Sequence, residues 1–153
     1  MAEEASATDS RPSAGVLRRF GAMFYDLLVL IALTAVSTFA LLPFTGGEAI
    51  LRERYGVFEY AYQGLLVAII VCFFGLFWTR QGQTIGMLAW RVKIERDDGR
   101  LLTWADVFKR LASAVVSLAL VGAGYFWIWI DRDKLAWPDR WTHTRVVVLP
   151  KKT

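Results

Sequence analysis

The chain has 153 residues, a net charge of +4, 56% hydrophobic residues and a mean hydropathy of +0.39. This length suffices for one domain, and so high an apolar content is unusual for a soluble domain. The basic residues flank apolar runs, and no basic patch alternates with aromatics, so the charge favours lipid headgroups and excludes a nucleic-acid function. The single cysteine, Cys72, excludes an intrachain disulfide and suggests no metal site with cysteine ligands.

Three apolar runs, at 20–44, 60–78 and 111–130, each reach the length of about 18 residues typical of a membrane helix. Three such runs in a short chain favour membrane segments over buried helices of a soluble protein. The sequence therefore predicts an all-α integral membrane protein with two transmembrane helices and a third apolar segment. A small two-stranded β element is expected at the cytoplasmic face.

The first residues, 1–14, are small and polar, and they predict a disordered N-terminal tail. Residues 15–150 are assigned to the membrane domain, and residues 151–153 to a short C-terminal tail. Acidic residues near the start, and Asp26 within the first run, favour a retained membrane anchor over a cleaved signal peptide.

The first apolar run contains one charge, Asp26, and Arg18 and Arg19 stand at its start. A carboxylate near the centre of a spanning helix costs about 2.5 to 3.5 kcal/mol on insertion scales, so contacts elsewhere must offset it. Arg19, Ala22 and Asp26 share one helical face, at i, i+3 and i+7. Because the Arg19 side chain leans towards the helix N-terminus, we expect no direct bridge to Asp26.

Basic residues predict the membrane topology. The connection 79–110 holds seven, whereas the loop 45–59 holds two. By the positive-inside rule, 79–110 and the N-terminus are cytoplasmic, in a multi-pass membrane protein.

The connection 79–110 also has structure of its own. Residues 90–95 alternate apolar and charged, as expected of a half-buried strand. Thr103 and Asp106 have the spacing of a helix capping box, so a helix should begin near Trp104.

The third run, 111–130, leaves two topologies open. Six basic residues follow it in 131–153, and 144–149 predicts a strand whose natural partner is 90–95. Both features favour a broken or re-entrant segment that turns at glycines 122 and 124 and returns the C-terminus to the cytoplasm. The alternative is a plain third span, which would place the C-terminus outside.

Three short blocks carry a family resemblance. They are Arg19-x-x-Ala22-x-x-x-Asp26, Gly82-Gln83-Thr84-Ile85-Gly86 before the first strand, and Pro138-Asp139-Arg140-Trp141 before the second. Together they resemble the arginine–aspartate–aspartate (RDD) family of small integral membrane proteins. The resemblance implies that Arg19, Asp26 and Asp139 are the family's charged residues. Pro138 stands where the family usually has a histidine, and His143 is displaced, so that histidine's role is not assigned.

The resemblance implies a membrane fold, and cation/proton exchange has been proposed for some members. For Arg19 we expect an ion pair with Asp139 that joins the C-terminal segment to the first helix. The alternative is that Arg19 is an interfacial anchor and Asp139 a helix cap. Asp26 is either satisfied by Arg80 or by 81–84, or it serves as a proton or cation site.

No hydrolase, metalloprotease or phosphate-loop motif is present, so we predict no enzymatic activity, no cofactor and no metal site. The predicted function is a membrane scaffold or accessory module with a buried Arg/Asp cluster. Its expected partners are the lipid bilayer and either a second copy or another membrane protein. The alternative is a cation/proton transporter that uses Asp26, although few helices and no internal repeat make a poor pathway.

Overall fold

The computed structural model describes residues 11–46, 56–120, 122–133 and 135–150, and it is mostly helical there. The helices are α1 (Val16–Leu41), α2 (Val57–Arg80), α3 (Ile85–Ala89), α4 (Trp104–Ala119), α5 (Ala123–Phe126) and α6 (Trp137–Thr142). The strands are β1 (Val92–Arg96) and β2 (Thr144–Val148), and 3₁₀ turns follow α1 at Leu42–Thr45 and α5 at Trp127–Trp129. Most of the predicted loop 45–59 lies outside the described residues, as do residues 1–10 and the tail 151–153.

Helices α1 and α2 are long and apolar enough to cross a membrane, as predicted for the first two runs. From Leu27 to the end of α1 every side chain is at least partly exposed, and in α2 no residue before Phe73 is buried. Val36 and Phe39, for example, are 68% and 70% exposed. Because large exposed apolar surfaces are unfavourable in water, lipid is the environment that this surface fits.

The third apolar run is broken, as the glycines at 122 and 124 predicted. Helix α4 begins at Trp104, and the predicted capping box between Thr103 and Asp106 is present. After α4 the chain turns at Gly122, whose φ of +76° favours glycine, and continues into the short helix α5. The chain here is therefore not one continuous spanning helix.

Helix α4 is amphipathic, with its polar face turned into the protein. The buried residues are spaced three or four apart: Asp106, Val107, Arg110, Ser113 and Ser117. Phe108, Val115 and Leu118 are exposed on the other side. A helix of a soluble protein has the opposite orientation, so the outer face of α4 fits an apolar medium.

Strands β1 and β2 pair antiparallel, from Val92 opposite Val148 to Arg96 opposite Thr144. This confirms the predicted pairing of the connection with the C-terminal segment. Because residues after α2 and residues near the C-terminus share one sheet, both lie on the same side of the helix pair.

The end of the N-terminal segment joins this sheet, which differs from the predicted disordered tail 1–14. Ser13 forms a bridge with Val147, the Ala14 N–H donates to the Val146 carbonyl at 2.7 Å, and Ala14 is fully buried. An exposed strand edge offers unpaired backbone groups to any neighbouring segment, and composition does not reveal such a partner. Residues 13 and 14 of the predicted tail therefore contact β2.

Helix α3 packs against the N-terminal half of α1 through Gly86. A Cβ atom at Gly86 would lie 2.1 Å from the Ala22 carbonyl oxygen and 3.0 Å from the Asp26 carboxyl carbon. The backbone of α1 cannot move aside as a flexible side chain would. Close contact between these two helices therefore requires glycine at this position.

Gly86→Ala is expected to lower the free energy of unfolding by about 1 to 3 kcal/mol, as overpacking in a tight contact does. Gly64→Ala in α2 is the matched control, because a Cβ atom there meets nothing within 4 Å. Unfolding in mixed micelles with increasing dodecyl sulfate, followed by tryptophan fluorescence, measures both variants. Equal stability of the two would contradict the tight α1–α3 contact.

Candidate functional site

Arg19 and Asp139 form a buried ion pair, as expected from the sequence. Arg19 Nη1 donates to Asp139 Oδ2 at 2.6 Å, and Arg19 Nε donates to the Ala14 carbonyl at 2.9 Å. Arg19 is 5% exposed and Asp139 is fully buried. The pair joins the first turns of α1 to α6, across 120 positions of sequence.

A second arginine, Arg110 of α4, binds the other oxygen of Asp139. Arg110 Nη2 donates to Asp139 Oδ1 at 2.6 Å, and Arg110 Nη1 donates to Thr144 Oγ1 at 2.6 Å. The guanidinium also lies over the Trp78 ring, 5.6 Å from its centroid. Arg19, Arg110, Asp139 and Thr144 are called here the Asp139 cluster, and they connect α1, α4, α6 and β2.

The contact between Arg110 and Asp139 was not predicted from the sequence, although a sequence pattern indicates that Arg110 is buried. Asp106, Arg110, Ser113 and Ser117 form a polar stripe at helical spacing that enters the third apolar run. In a helix flanked by apolar residues, such a stripe indicates a face that packs against polar partners inside the protein.

Asp139 also caps α6, so the two roles considered for it coexist. The Ala136 N–H donates to Asp139 Oδ2 at 3.1 Å. Pro138 lies in the first turn of α6, where the N–H that proline lacks would have no helical acceptor. Proline at this position is therefore compatible with the start of α6. His143 is exposed and ends α6 in a left-handed conformation, with φ of 50°.

The Asp139 carboxyl stays ionised over a wide pH range. Burial alone would raise its pKa, but the charges of Arg19 and Arg110 and the hydrogen bonds hold the pKa below its ordinary value of 3.8. Since the folded-state pKa is the lower one, the stability contributed by Asp139 is complete above pH 3.8. It is lost only as the pH falls below that value and through the lowered pKa.

Asp26 lies on the same buried face of α1 but belongs to a separate contact. Thr84 Oγ1 donates to its Oδ2 at 2.5 Å, and the Gly86 N–H donates to its Oδ1 at 2.8 Å. Asp26 is 4% exposed. Of the two expected partners, the segment 81–84 supplies Thr84, whereas Arg80 is exposed. In the described ranges no cationic side chain forms a salt bridge with Asp26.

The charged residues that the sequence grouped together thus divide into two contacts. Arg19 and Asp139 meet in the Asp139 cluster, and Asp26 holds the start of α3. No set of three or more His, Cys, Asp or Glu side chains suited to a metal ion occurs in the part of the chain that the structure describes.

Long apolar helices, an amphipathic helix with its polar face inward, and buried arginine–aspartate pairs point to a helical membrane protein. A sequence model of the RDD family matches residues 13–143, most of the chain, and the protein belongs to the RDD family. The resemblance carried by the three sequence blocks is thereby confirmed. Comparison with curated proteins and with solved structures gave no match.

Proposed function

We propose that this RDD protein is a non-enzymatic membrane module, a scaffold or accessory subunit, whose buried charges hold its segments together. The observation that carries this proposal is the sharing of one carboxylate, Asp139, between Arg19 of α1 and Arg110 of α4. Asp26 likewise accepts hydrogen bonds from a distant segment. Charges engaged in this way support a structural role better than an open pathway for ions.

The proposed topology has α1 leaving the cytoplasm and α2 returning to it, in the inner membrane. The N-terminal residues 12–14, β1 and β2 share one sheet, so a single face of the membrane accommodates all three. The basic residues concentrated in 79–110 and 131–153 support the cytoplasmic face for this sheet.

A reporter fused after Thr153 tests this topology. A fused green fluorescent protein should be fluorescent and a fused alkaline phosphatase inactive, because both termini are placed in the cytoplasm. A phosphatase fusion after Gly46, just beyond the 3₁₀ turn that follows α1, is the matched control and should be active. Phosphatase activity after Thr153 would contradict the proposed topology.

The second candidate is a cation/proton transporter that uses Asp26. It is favoured by a buried carboxylate in a spanning helix that, among the described residues, contacts hydrogen-bond donors but no cation. The transporter is less favoured because two long helices alone form a poor pathway for an ion, and a second copy of the chain would be needed to complete one.

Cation-dependent proton flux in proteoliposomes separates the two candidates. The scaffold proposal predicts no flux from the folded parent chain. Flux from the parent that disappears in folded Asp26→Asn would favour the transporter instead. Asp133→Asn is the control for the substitution itself, since the Asp133 side chain is 70% exposed.

As a scaffold, the protein would bind a second copy or another membrane protein within the bilayer. The unburied outer half of α2 supports this, because Gly64 has open space where a neighbouring helix could approach closely. Co-purification after cross-linking in membranes would identify such a partner.

A further inference from the structure

Helix α4 begins at the sheet end of the helix pair, which is the end next to the β-sheet, where α1 starts and α2 stops. A Cβ atom at Gly75 would lie 2.1 Å from the ring of Trp104, the first residue of α4. Further along α4, the Arg110 guanidinium lies over the Trp78 ring, 5.6 Å from its centroid. Gly75 and Trp78 belong to the last two turns of α2, which ends at Arg80. The first half of α4 therefore stays beside the sheet end.

The chain beyond α4 also lies at the sheet end. Tyr125 and Phe126 of α5 pack against Phe20, with ring centroids 6.2 and 5.9 Å apart. Phe20 is in the second turn of α1, which begins at Val16. With 16 residues α4 is about 24 Å long, so a helix parallel to α2 would either contact α2 well before Phe73 or leave the sheet end. Neither occurs, because no residue of α2 before Phe73 is buried, so α4 runs across the two long helices.

The face of α4 that points away from the protein is apolar. Its exposed residues recur at helical spacing over the whole helix: Trp104, Phe108, Ala112, Val115 and Ala119. The apolar surface continues into the 3₁₀ turn, where Trp127 and Trp129 are exposed, and it ends at Ile130. Two exposed cations, Lys109 and Arg132, adjoin this surface in the sequence. Helix α4 and residues 123–130 are called here the α4 segment.

Lipid is the occupant that this surface fits. It adjoins the sheet ends of two helices that are long and apolar enough to span a membrane, and the ends of such helices lie at the level of the lipid headgroups. Exposed tryptophans are typical of this level, because the ring is apolar and its N–H is polar. Lys109 and Arg132 supply positive charge that complements anionic headgroups. An apolar face with tryptophans and bordering cations is typical of a helix that lies in the membrane surface.

We infer that the α4 segment lies in the plane of the membrane and replaces lipid in one leaflet only, the leaflet on the side of the sheet. The inference rests on the proposed topology, in which α1 and α2 span the bilayer. Beyond Asp26 in α1, and before Phe73 in α2, no described residue of the two helices is buried. In the part of the chain that the structure describes, the protein is therefore wider in the leaflet on the sheet side than in the other leaflet.

This asymmetry gives the protein a preference for curved membranes. A segment that occupies area in one leaflet favours a membrane that is convex on that side, and the binding of in-plane amphipathic helices depends on curvature and on anionic lipid. The partner of the α4 segment is thus a convex leaflet that contains anionic lipid.

Spin labels on the exposed face measure the tilt of α4 directly. Phe108 and Ala119 are about 16 Å apart along the α4 axis, and Leu17 and Leu28 are equally far apart along α1, at 1.5 Å per residue. All four residues are exposed, and so is Cys72, which is first replaced by alanine. Each of the four is changed to cysteine and labelled in the full chain in liposomes, and collisions with oxygen and with a nickel chelate give its depth. We expect the two α1 labels to differ in depth by about 16 Å and the two α4 labels by less than half of this.

The outcomes separate the inference from the proposed topology. A depth difference in α4 as large as that in α1 would mean that α4 runs along the spanning helices, and it would overturn the inference alone. Poor access of oxygen to both α4 labels would show that protein covers the surface instead of lipid, with the same consequence. Equal depths of the two α1 labels would overturn the proposed topology, and the inference with it.

Reconstitution into small sonicated and large extruded vesicles tests the curvature preference. Because the outer leaflet of a small vesicle is strongly convex, a larger fraction of chains should insert with the sheet outside than in large vesicles. External protease removes a short epitope tag fused after Thr153 from those chains, which measures the fraction. Val115→Glu puts a charge on the inserted face and should reduce the difference between the vesicle sizes, whereas Arg100→Glu, at an exposed loop residue, should not. Equal fractions of the parent chain in both vesicle sizes would contradict the preference.

Discussion

Asp139→Asn should lower the free energy of unfolding by about 3 to 5 kcal/mol, the usual cost of removing one partner from a buried ion pair. Asparagine has nearly the same shape as aspartate, so the loss is one of charge and not of packing. Arg19 and Arg110 would then face each other across a neutral amide, with both guanidinium groups buried. Titration with dodecyl sulfate in mixed micelles, followed by tryptophan fluorescence, measures the change.

The matched control for this variant is Asp133→Asn, which makes the same substitution a few residues earlier. The Asp133 side chain is 70% exposed and lies 3.3 Å from the partly exposed Arg140. Exposed ion pairs contribute about 0 to 1 kcal/mol, so we expect little change in stability. Similar losses for Asp139→Asn and Asp133→Asn would show that burial of the Asp139 cluster has no energetic consequence.

Asp26→Ala should lower the free energy of unfolding by about 2 to 6 kcal/mol, since it leaves two buried donors unsatisfied at about 1 to 3 kcal/mol each. These donors are Thr84 Oγ1 and the Gly86 N–H, and they bring the start of α3 against α1. Asp26→Asn should cost less, because its side-chain oxygen still accepts from one of them. The same titration in mixed micelles measures both variants.

Ser37→Ala, also in α1, is the control for Asp26→Ala. The Ser37 hydroxyl donates to the Leu33 carbonyl of its own helix. Removal of this hydroxyl therefore leaves no donor of another segment without an acceptor. A loss for Asp26→Ala as small as that for Ser37→Ala would mean that the α1–α3 contact does not depend on Asp26.

Much of the fold follows from local sequence patterns. Residues close together in the sequence are enough to predict three features: the two long apolar helices, strand β1 and the turn at the glycines after α4. The structure contains all three. The Arg19–Asp139 pair was also predicted, because two lone charges at the same membrane boundary have few other partners.

The remaining contacts depend on tertiary packing, which local patterns do not specify. Arg110 stands just before the third apolar run, and its partner Asp139 had already been assigned to Arg19. The pairing of Ser13 with β2 needs a free strand edge that exists only after β1 and β2 have met. For Asp26 the sequence allowed Arg80 or 81–84, and the close approach of α3 at Gly86 favours Thr84.

The account's central claim is that Arg19 and Asp139 hold distant segments together, and a double-mutant cycle tests it most directly. Charge exchange between the two positions is a poor test, because an arginine at 139 would face Arg110. The cycle therefore uses Arg19→Gln, Asp139→Asn and the double variant, each unfolded with dodecyl sulfate in mixed micelles. The account predicts that the losses are non-additive, with a coupling energy of about 1 to 3 kcal/mol. Losses that add to within about 0.5 kcal/mol, as independent sites do, would contradict it.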